Sequence, residues 1–542
     1  MIKRESILGM VNFMATSVFF GALVILLAVL AEKFAGKFKL PALILFMFIG
    51  MLFGSDGLFK IPFSNYRLAD QICSLALVFI MFYGGFNTKW KVAKSSAPKS
   101  LLLSTLGVII TAGITTVLAV YLLHFKLLEA LLIGAVLSST DAASVFAILH
   151  QQKVNLKYNT ASLLELESGS NDPVAYLLTA LIIGFITGAK QVNIPLEILL
   201  QVSMGLWWGF ILAKLAVYLL TQTNLIAEGL ETIFLMGMML LCYALTEVTA
   251  GNVFLSIYLL GLIIGNAQIA NKQVIIPFLH GITSLAQILI FFLLGLLTFP
   301  HRMLEIIPTA LIIAIIITFI ARPLAVFTLL LPFKAKINQC LLVAWAGLRG
   351  AASSVFAIFA LAHGVSLNYD LFHIVFLVSL FSIALQGSLL PWVATKLDMI
   401  DESDDIRKTF NDYQAESAIT LMRLFVPKDH PWVNRPIKDV HLPSGSLALM
   451  IKRNSKTIIT KGDTIILGGD ILILSVPAYE TKGNETLNEI NIDANHPWAG
   501  QKIATLNLPD NMLIALIIRG EENLIPDGNT VIEPSDTVVL YH

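Results

Sequence analysis

Residues 9–395 consist of long apolar runs separated by short polar breaks. About thirteen runs can be distinguished, and a helix of roughly 20 apolar residues is enough to cross the hydrocarbon core of a membrane. Their approximate limits are 9–31, 38–54, 70–88, 99–124, 127–150, 161–187, 195–221, 229–249, 252–269, 276–299, 302–332, 337–363 and 370–395. The pattern predicts an α-helical polytopic membrane protein with about thirteen transmembrane helices.

Beyond these runs the pattern changes to short apolar stretches punctuated by Gly, Asp and Pro. Segments beginning at His430 and His496 align without a gap at an offset of 66, and both begin His-Pro-Trp. Short β-type runs in each copy predict two small α+β modules. We therefore expect a transmembrane domain at 1–398, a linker at 399–412, and modules at 413–480 and 481–542.

Composition and charge agree with this division. The chain is 56% hydrophobic and only 13% charged, with a mean hydropathy of +0.79, which excludes an ordinary soluble protein. Residues 1–398 hold 23 Lys and Arg against 16 Asp and Glu, a net +7, whereas residues 399–542 hold 13 against 20, a net −7. The short loops on the side of the C-terminal tail carry twelve Lys and Arg, and those on the other side, with the N-terminus, carry seven. Because loops rich in Lys and Arg face the cytoplasm, this predicts a cytoplasmic tail.

The sixth run, "LELESGSNDPVAYLL", carries three acids in an apolar setting. On a helix, Glu165, Ser168 and Asp172 share one face, and Glu167 lies beside Asn171 on a neighbouring stripe. A charge near the bilayer centre costs about 2.5–3.5 kcal/mol, so these groups are expected to face a cavity or a partner. One acid would fit a structural salt bridge, but three acids with hydroxyl and amide oxygens favour a site for a dehydrated monovalent cation.

The fifth and twelfth runs supply the opposite wall of this site. "SSTDAAS" places Thr140 and Asp141 in mid-membrane, and "AGLRGAAS" places Arg349 between glycines. A membrane Arg needs a buried anion, for which Glu167 and Asp141 are the candidates. The similar "DAASVFAIL" and "GAASSVFAIF" lie seven runs apart, which predicts inverted repeats with interrupted, crossing helices. Arg322 in the eleventh run is either a second internal cation or a structural one.

Together these motifs resemble the monovalent cation:proton antiporters of the sodium/proton exchanger superfamily. "STDAA", "ESGSNDP" and "GLRGA" carry the resemblance, and the tail is similar to TrkA-type C-terminal (RCK-C) modules. The branch resembled most is that of bacterial electroneutral potassium/proton antiporters. Two departures from many relatives are Tyr83 before Gly84-Gly85, where an acid is common, and Ala142, where Pro is common.

The resemblance implies a homodimer in the bacterial inner membrane with an elevator-like core. It places cation and proton binding at Asp172, Asn171, Ser168, Asp141 and Thr140, of which all but Asn171 are expected cation ligands. It implies a structural ion pair between Glu167 and Arg349, with Arg322 and Glu165 as possible supporting residues. An Asn before the transport Asp goes with one-for-one, electroneutral exchange.

The resulting hypothesis is a secondary antiporter that exchanges K⁺ or Na⁺ for H⁺, not an enzyme, with no cofactor and no nucleic-acid partner. The competing hypotheses are a cation channel gated by RCK-like modules, which lacks a T-V-G-Y-G-type filter here, and a membrane sensor. The C-terminal modules are expected either to regulate transport, with cyclic di-AMP or another small nucleotide as ligand, or to serve dimerisation and stability.

Overall fold

The computed structural model describes residues 19–541 apart from several short stretches. Those outside the description are 32, 35–40, 152–155, 189–192, 224, 228, 270, 402–418, 429, 441, 443–445, 454–455, 478–486, 495, 507, 509–512, 521 and 525. Most of the predicted linker and the start of the first predicted span therefore lie outside the described residues. The chain divides into two compact units, Met1–Arg407 and Lys408–His542.

Each predicted apolar run is occupied by a helix or by two shorter helices. They are α1 Phe19–Ala31, α2 Ala42–Phe53, α3 Tyr66–Asn87, α4 Ala97–Leu123, α5 Leu127–Val136, α6 Ala142–Gln151, α7 Thr160–Ile186, α8 Ile194–Gln222, α9 Glu231–Val248, α10 Val253–Asn266, α11 Lys272–Leu296, α12 Pro300–Phe333, α13 Ile337–Trp345, α14 Ala351–Ala362 and α15 Leu371–Lys396. Eight of the described helices are long and apolar enough to cross a membrane, and shorter apolar helices accompany them. The predicted polytopic helical fold is confirmed.

Large apolar side chains cover the outside of this helical unit. On α8 alone, Leu199 is 63% exposed, Trp207 58% and Phe210 51%. A soluble protein would bury such residues, whereas lipid tails are themselves apolar and solvate them. Polar groups instead lie inside, where Arg322 and Arg349 are among the largest fully buried side chains.

The fifth and twelfth runs are interrupted helices, as predicted. Helix α5 ends at Val136 and α6 begins at Ala142; α13 ends at Trp345 and α14 begins at Ala351. The two breaks are joined directly, because the Asp141 backbone N–H donates to the Leu348 carbonyl at 2.8 Å. Four helix ends thus meet inside the helical unit, and irregular backbone at such depth is tolerated only where protein or a cavity surrounds it.

Helices α3 and α10 pack unusually closely. A Cβ added to Gly85 would lie 2.4 Å from the Tyr258 carbonyl oxygen, and one added to Gly265 would lie 2.0 Å from that of Phe86. No side chain fits at these separations, so glycine lets the two backbones approach. The pair α3 and α10 therefore forms one tightly packed wall beside α7.

The tail contains two four-stranded antiparallel sheets of the same design. The first has the order β1-β4-β2-β3 and the second β5-β8-β6-β7. Their strands are β1 Ile419–Phe425, β2 Leu447–Arg453, β3 Lys456–Ile459, β4 Ile471–Pro477, β5 Leu487–Asn491, β6 Leu513–Arg519, β7 Glu522–Leu524 and β8 Thr537–Tyr541. The register shift between Ala448 and Met450 recurs between Ile514 and Leu516, at the 66-residue offset of the repeat. Within the described residues, each module contains one 3₁₀ turn and no α-helix: Ile437–Asp439 in the first module and Ile503–Thr505 in the second.

A buried Asp–Arg pair holds each module together. Arg453 donates from Nε and Nη2 to the two carboxylate oxygens of Asp470 at 2.7 Å each. Arg519 donates in the same way to Asp536 at 2.8 Å. Both aspartates are 0% exposed, and this two-point geometry is the strongest that Arg and a carboxylate adopt. The Arg453 guanidinium lowers the pKa of Asp470, and that of Arg519 lowers the pKa of Asp536.

We expect Asp470→Asn to destabilise the first module by about 2 kcal/mol, because Arg453 loses its charged acceptor. Since the folded pKa of Asp470 lies below its ordinary value of 3.8, the pair stabilises fully above pH 3.8 and loses its contribution as pH falls through the lowered pKa. Hydrogen exchange of the β4 peptide in the full-length protein at neutral pH measures the change. Asp463→Asn is the matched control, since Asp463 is 86% exposed in its pair with Lys438; equal protection in both variants would contradict the assignment.

Candidate ion-binding site

Asp172 lies in the middle of α7 and points into the helical unit. The residue is 7% exposed, and its carboxylate accepts a hydrogen bond from the Ser139 hydroxyl, which belongs to the break between α5 and α6. Pro173 follows within the helix, and its carbonyl accepts from Asn252 Nδ2 at 2.8 Å. Proline has no N–H, so the helix lacks one backbone hydrogen bond on the Asp172 turn. The hydrogen bond from Asn252 holds this weakened turn in place.

A polar network connects the next turn of α7 to the same break. Asn171 donates from Nδ2 to the Thr140 hydroxyl and, at 3.3 Å, to Glu167 Oε1. The Thr140 hydroxyl donates to Glu167 Oε1 at 3.3 Å, and the Ser168 hydroxyl donates to the Thr140 carbonyl at 2.8 Å. All four residues are at most 9% exposed. The Asn171 Oδ1 oxygen is buried and accepts no hydrogen bond from the described residues.

Glu167 forms its ion pair with Arg322 of α12. Arg322 Nη2 donates to Glu167 Oε2 at 2.9 Å, and the side chains are 2% and 1% exposed. Gly347 makes room for the Arg, since a Cβ there would lie 2.8 Å from Arg322 Nε. The predicted Glu167–Arg349 pair is therefore wrong in this structure, and Arg322 is the internal cation that balances the acid.

Arg349 has a different partner because it lies in the break before α14. Its Nη1 donates to the carbonyls of Ser138 at 2.9 Å and Ser139 at 2.6 Å, just beyond the C-terminal end of α5. A helix C-terminus carries partial negative charge on unpaired carbonyls, so a buried guanidinium stabilises it. Arg349 is 1% exposed, and its backbone N–H is fixed by the Ser382 hydroxyl at 2.9 Å.

Asp141 caps the N-terminus of α6, in the break between α5 and α6. Its Oδ1 accepts from the Ser144 N–H at 3.1 Å and its Oδ2 from the Ser144 hydroxyl at 2.6 Å, at the N-terminus of α6. Gly350 precedes α14 and lies so close that an added Cβ would be 2.0 Å from Asp141 Oδ2. The carboxylate thus lies at the positive ends of two half-helices, as Arg349 lies at a negative end.

The structure brings most predicted site residues together and separates one. Asp172, Asn171, Ser168 and Thr140 surround the break between α5 and α6, with Asp141 next to them on the helix cap. Glu165 lies apart, where its Oε1 accepts from the Thr88 hydroxyl at 3.1 Å. Sequence reasoning did not single out Ser139, although it lies within the quoted "SSTDAAS", because which of two adjacent serines faces Asp172 depends on the unwound backbone.

The arrangement leaves Asp172 without a cationic partner among the described side chains. Glu167 is paired with Arg322 and Asp141 caps helix ends, whereas Asp172 forms no salt bridge with any side chain that the structure describes. The Ser139 hydroxyl contacts its carboxylate, and Asn171 precedes it by one residue on the same helix. A buried carboxylate is strongly disfavoured as a bare anion, so this site suits a proton or a small cation.

Both parts of the chain match known protein families. Residues 22–396 match the family model described as sodium/hydrogen exchanger, transmembrane. Residues 421–478 and 487–541 each match the TrkA-C domain. The second result confirms the duplicated modules that the 66-residue offset predicts.

Several similar proteins are antiporters by name. The chain is 32% identical over 455 residues to the K(+)/H(+) antiporter NhaP of Alkalimonas amylolytica, covering 83% of this chain and 79% of that protein. It is 32% identical over 463 residues to the K(+)/H(+) antiporter NhaP2 of Shewanella sp. strain ANA-3, with the same coverage.

A solved structure shares the fold. The sodium proton antiporter MjNhaP1 of Methanocaldococcus jannaschii matches with a TM-score of 0.63 at 23% identity, covering 71% of this chain and 99% of that chain. The helical unit with its two interrupted helices is thus the fold of that transporter. The chain belongs to the sodium/hydrogen exchanger family of multi-pass membrane antiporters, with two TrkA-C domains following its membrane part.

Proposed function

We propose that the protein is a potassium/proton antiporter in which Asp172 carries either the cation or the proton. The observation that carries this proposal is the charge arrangement around α7, in which Glu167 is paired and buried Asp172 is not. The names of relatives at 32% identity favour K⁺ as the cation.

The expected mechanism follows from the buried Asp172 carboxylate, which has no salt bridge with the described side chains. With a proton or a monovalent cation bound, Asp172 is neutral and its part of the protein can move between the two faces of the membrane. When Asp172 is a bare anion, the free-energy cost of carrying its charge through the membrane interior prevents this movement. Each cation carried one way is then matched by one proton carried the other, which makes the exchange electroneutral.

The proposed cation ligands are the oxygens of Asp172, Asp141, Ser168 and Thr140, with Asn171 beside them. The Ser139 hydroxyl supplies a further oxygen at the Asp172 carboxylate. Asn171 Oδ1 is a buried oxygen that accepts no hydrogen bond from the described residues. Glu167 and Arg322 hold the network in place without binding the ion. Arg349 and Asp141 stabilise the ends of the interrupted helices.

Sodium/proton exchange is the second candidate. A Methanocaldococcus jannaschii relative named Na(+)/H(+) antiporter 1 is 24% identical over 348 residues, and the ligand types suit either ion. The ions differ in radius rather than in ligand preference, so only transport measurements separate the two.

Purified protein in liposomes with an internal pH dye tests both candidates. We expect proton movement when K⁺ is added at a fixed membrane potential, at a rate that does not change with that potential. A response to Na⁺ alone would select the second candidate. Cation flux without proton counter-flow would contradict antiport and favour a channel.

We further propose that the protein works as a homodimer and that its modules, 413–480 and 481–542, regulate transport. Support for regulation comes from the TrkA-C matches, and a small anionic nucleotide such as cyclic di-AMP is the ligand class proposed. The first module carries eight Lys and Arg against six Asp and Glu, a net +2, which suits an anionic ligand. Calorimetric titration of the full-length protein with the nucleotide tests this.

A further inference from the structure

A second group of oxygen ligands lies on α7, two turns from Asp172 and towards the Thr160 end. Its members are Glu165, Thr88 just after α3, and Tyr258 of α10, whose hydroxyl lies near the other two. Seven residues of helix separate Glu165 from Asp172, about 10 Å at 1.5 Å per residue. With the tail in the cytoplasm, this group lies between Asp172 and the cytoplasmic face.

Tyr258 is the member that calls for an explanation. It is 5% exposed, and its hydroxyl lies beside the Thr88 and Ser170 side chains without a hydrogen bond of good geometry within the part of the chain that the structure describes. The ring lies against α7 at Gly169, where an added Cβ would be 2.2 Å from Tyr258 Cε2 and 2.9 Å from the hydroxyl oxygen. A phenol with such poor hydrogen bonds keeps free lone pairs on its oxygen, and these can coordinate a cation.

Thr88 is held rigidly in the same place. Its carbonyl accepts from Asn266 Nδ2 at 2.8 Å, and its hydroxyl lies 2.8 Å from the Gly84 carbonyl and 3.1 Å from Glu165 Oε1. A hydroxyl has one hydrogen, so it donates to only one of these oxygens at a time and keeps lone pairs for a cation. Thr88 is 1% exposed, whereas Glu165 is half-buried.

We infer that Glu165, Thr88 and Tyr258 form a second monovalent-cation site, from which the ion passes to Asp172. This rests on the proposed antiport. A carboxylate, two hydroxyl oxygens and a partly open position suit an ion that is still partly hydrated. Because Thr88 and Tyr258 belong to the closely packed α3 and α10 wall while Glu165 belongs to α7, the site assembles only where the two surfaces meet.

The test is K⁺-driven proton movement in liposomes, with K⁺ added on the side of the membrane that carries the tail. The orientation of the protein is determined from whether protease added outside the vesicles cleaves the tail. Glu165→Gln is expected to raise the half-saturating K⁺ concentration about tenfold and Tyr258→Phe about threefold, with maximal rates within about twofold of wild type. Glu247→Gln and Tyr121→Phe, at exposed helix positions, are the matched controls and are expected to behave as wild type.

K⁺-dependent thermal stabilisation of the same variants in detergent gives a second readout that needs no transport. Unchanged half-saturation in both variants, or a lowered melting temperature with unchanged half-saturation, would show a structural role and overturn the inference. Should Glu165→Gln not fold, Tyr258→Phe decides alone. If the wild-type protein moves no protons with any cation, the proposed antiport fails, and weaker K⁺ stabilisation in the variants would still support the site.

Discussion

Asp172→Asn is expected to abolish cation-coupled proton movement while leaving a folded protein. An amide has nearly the shape of a carboxylate and keeps a hydrogen bond with Ser139, so the packing around α7 is preserved. The amide cannot take up or release a proton. Losing the charged ligand also weakens the binding free energy of the cation by about 3 kcal/mol, which lowers its affinity roughly a hundredfold. Dye-loaded liposomes should therefore respond like protein-free ones.

Two controls separate this result from general damage. Ser139→Ala removes only the hydroxyl that donates to Asp172, and a partial loss of rate is expected. Asp70→Asn changes an acid on α3 whose hydrogen-bond partner is Ser74, and exchange should persist. Full coupled exchange in Asp172→Asn would mean that another group carries the proton.

Glu167→Gln is expected to destabilise the helical unit by about 3–5 kcal/mol, because it leaves the Arg322 charge buried without a partner. Arg322 is 2% exposed, so water cannot replace the lost carboxylate. Melting temperature and monodispersity of the purified protein in detergent measure the effect.

Paired substitutions identify the partner of Glu167. Glu167→Gln with Arg322→Gln removes both charges, and the double variant should be more stable than Glu167→Gln alone, since non-additivity reports direct coupling. Glu167→Gln with Arg349→Gln should show no such recovery, because Arg349 donates to the Ser138 and Ser139 carbonyls. Recovery in the second pair instead of the first would restore the Glu167–Arg349 pairing that the sequence predicts.

The pairing illustrates why a motif can identify a site and still assign its contacts wrongly. "ESGSNDP" and "GLRGA" place Glu167 and Arg349 in the same region of the protein, and both are buried there. Arg322 lies 155 residues from Glu167 in the chain, in a run with no other charge nearby to mark its direction. Only the rotation of α12 about its axis determines that its guanidinium meets Glu167.

The sequence by itself determined the helical segments, the two interrupted helices, the duplicated modules and the turn of α7 that carries the acids. These features follow from local patterns: apolar runs set helix length, and a repeat at a fixed offset implies a repeated fold. Tertiary structure alone decided that Arg322 neutralises Glu167, that Ser139 faces Asp172, and that Tyr258 lies against Gly169 near Glu165. The physical reason is that such contacts join segments far apart in the chain, where a rotation of one helix by a fraction of a turn changes which side chains meet.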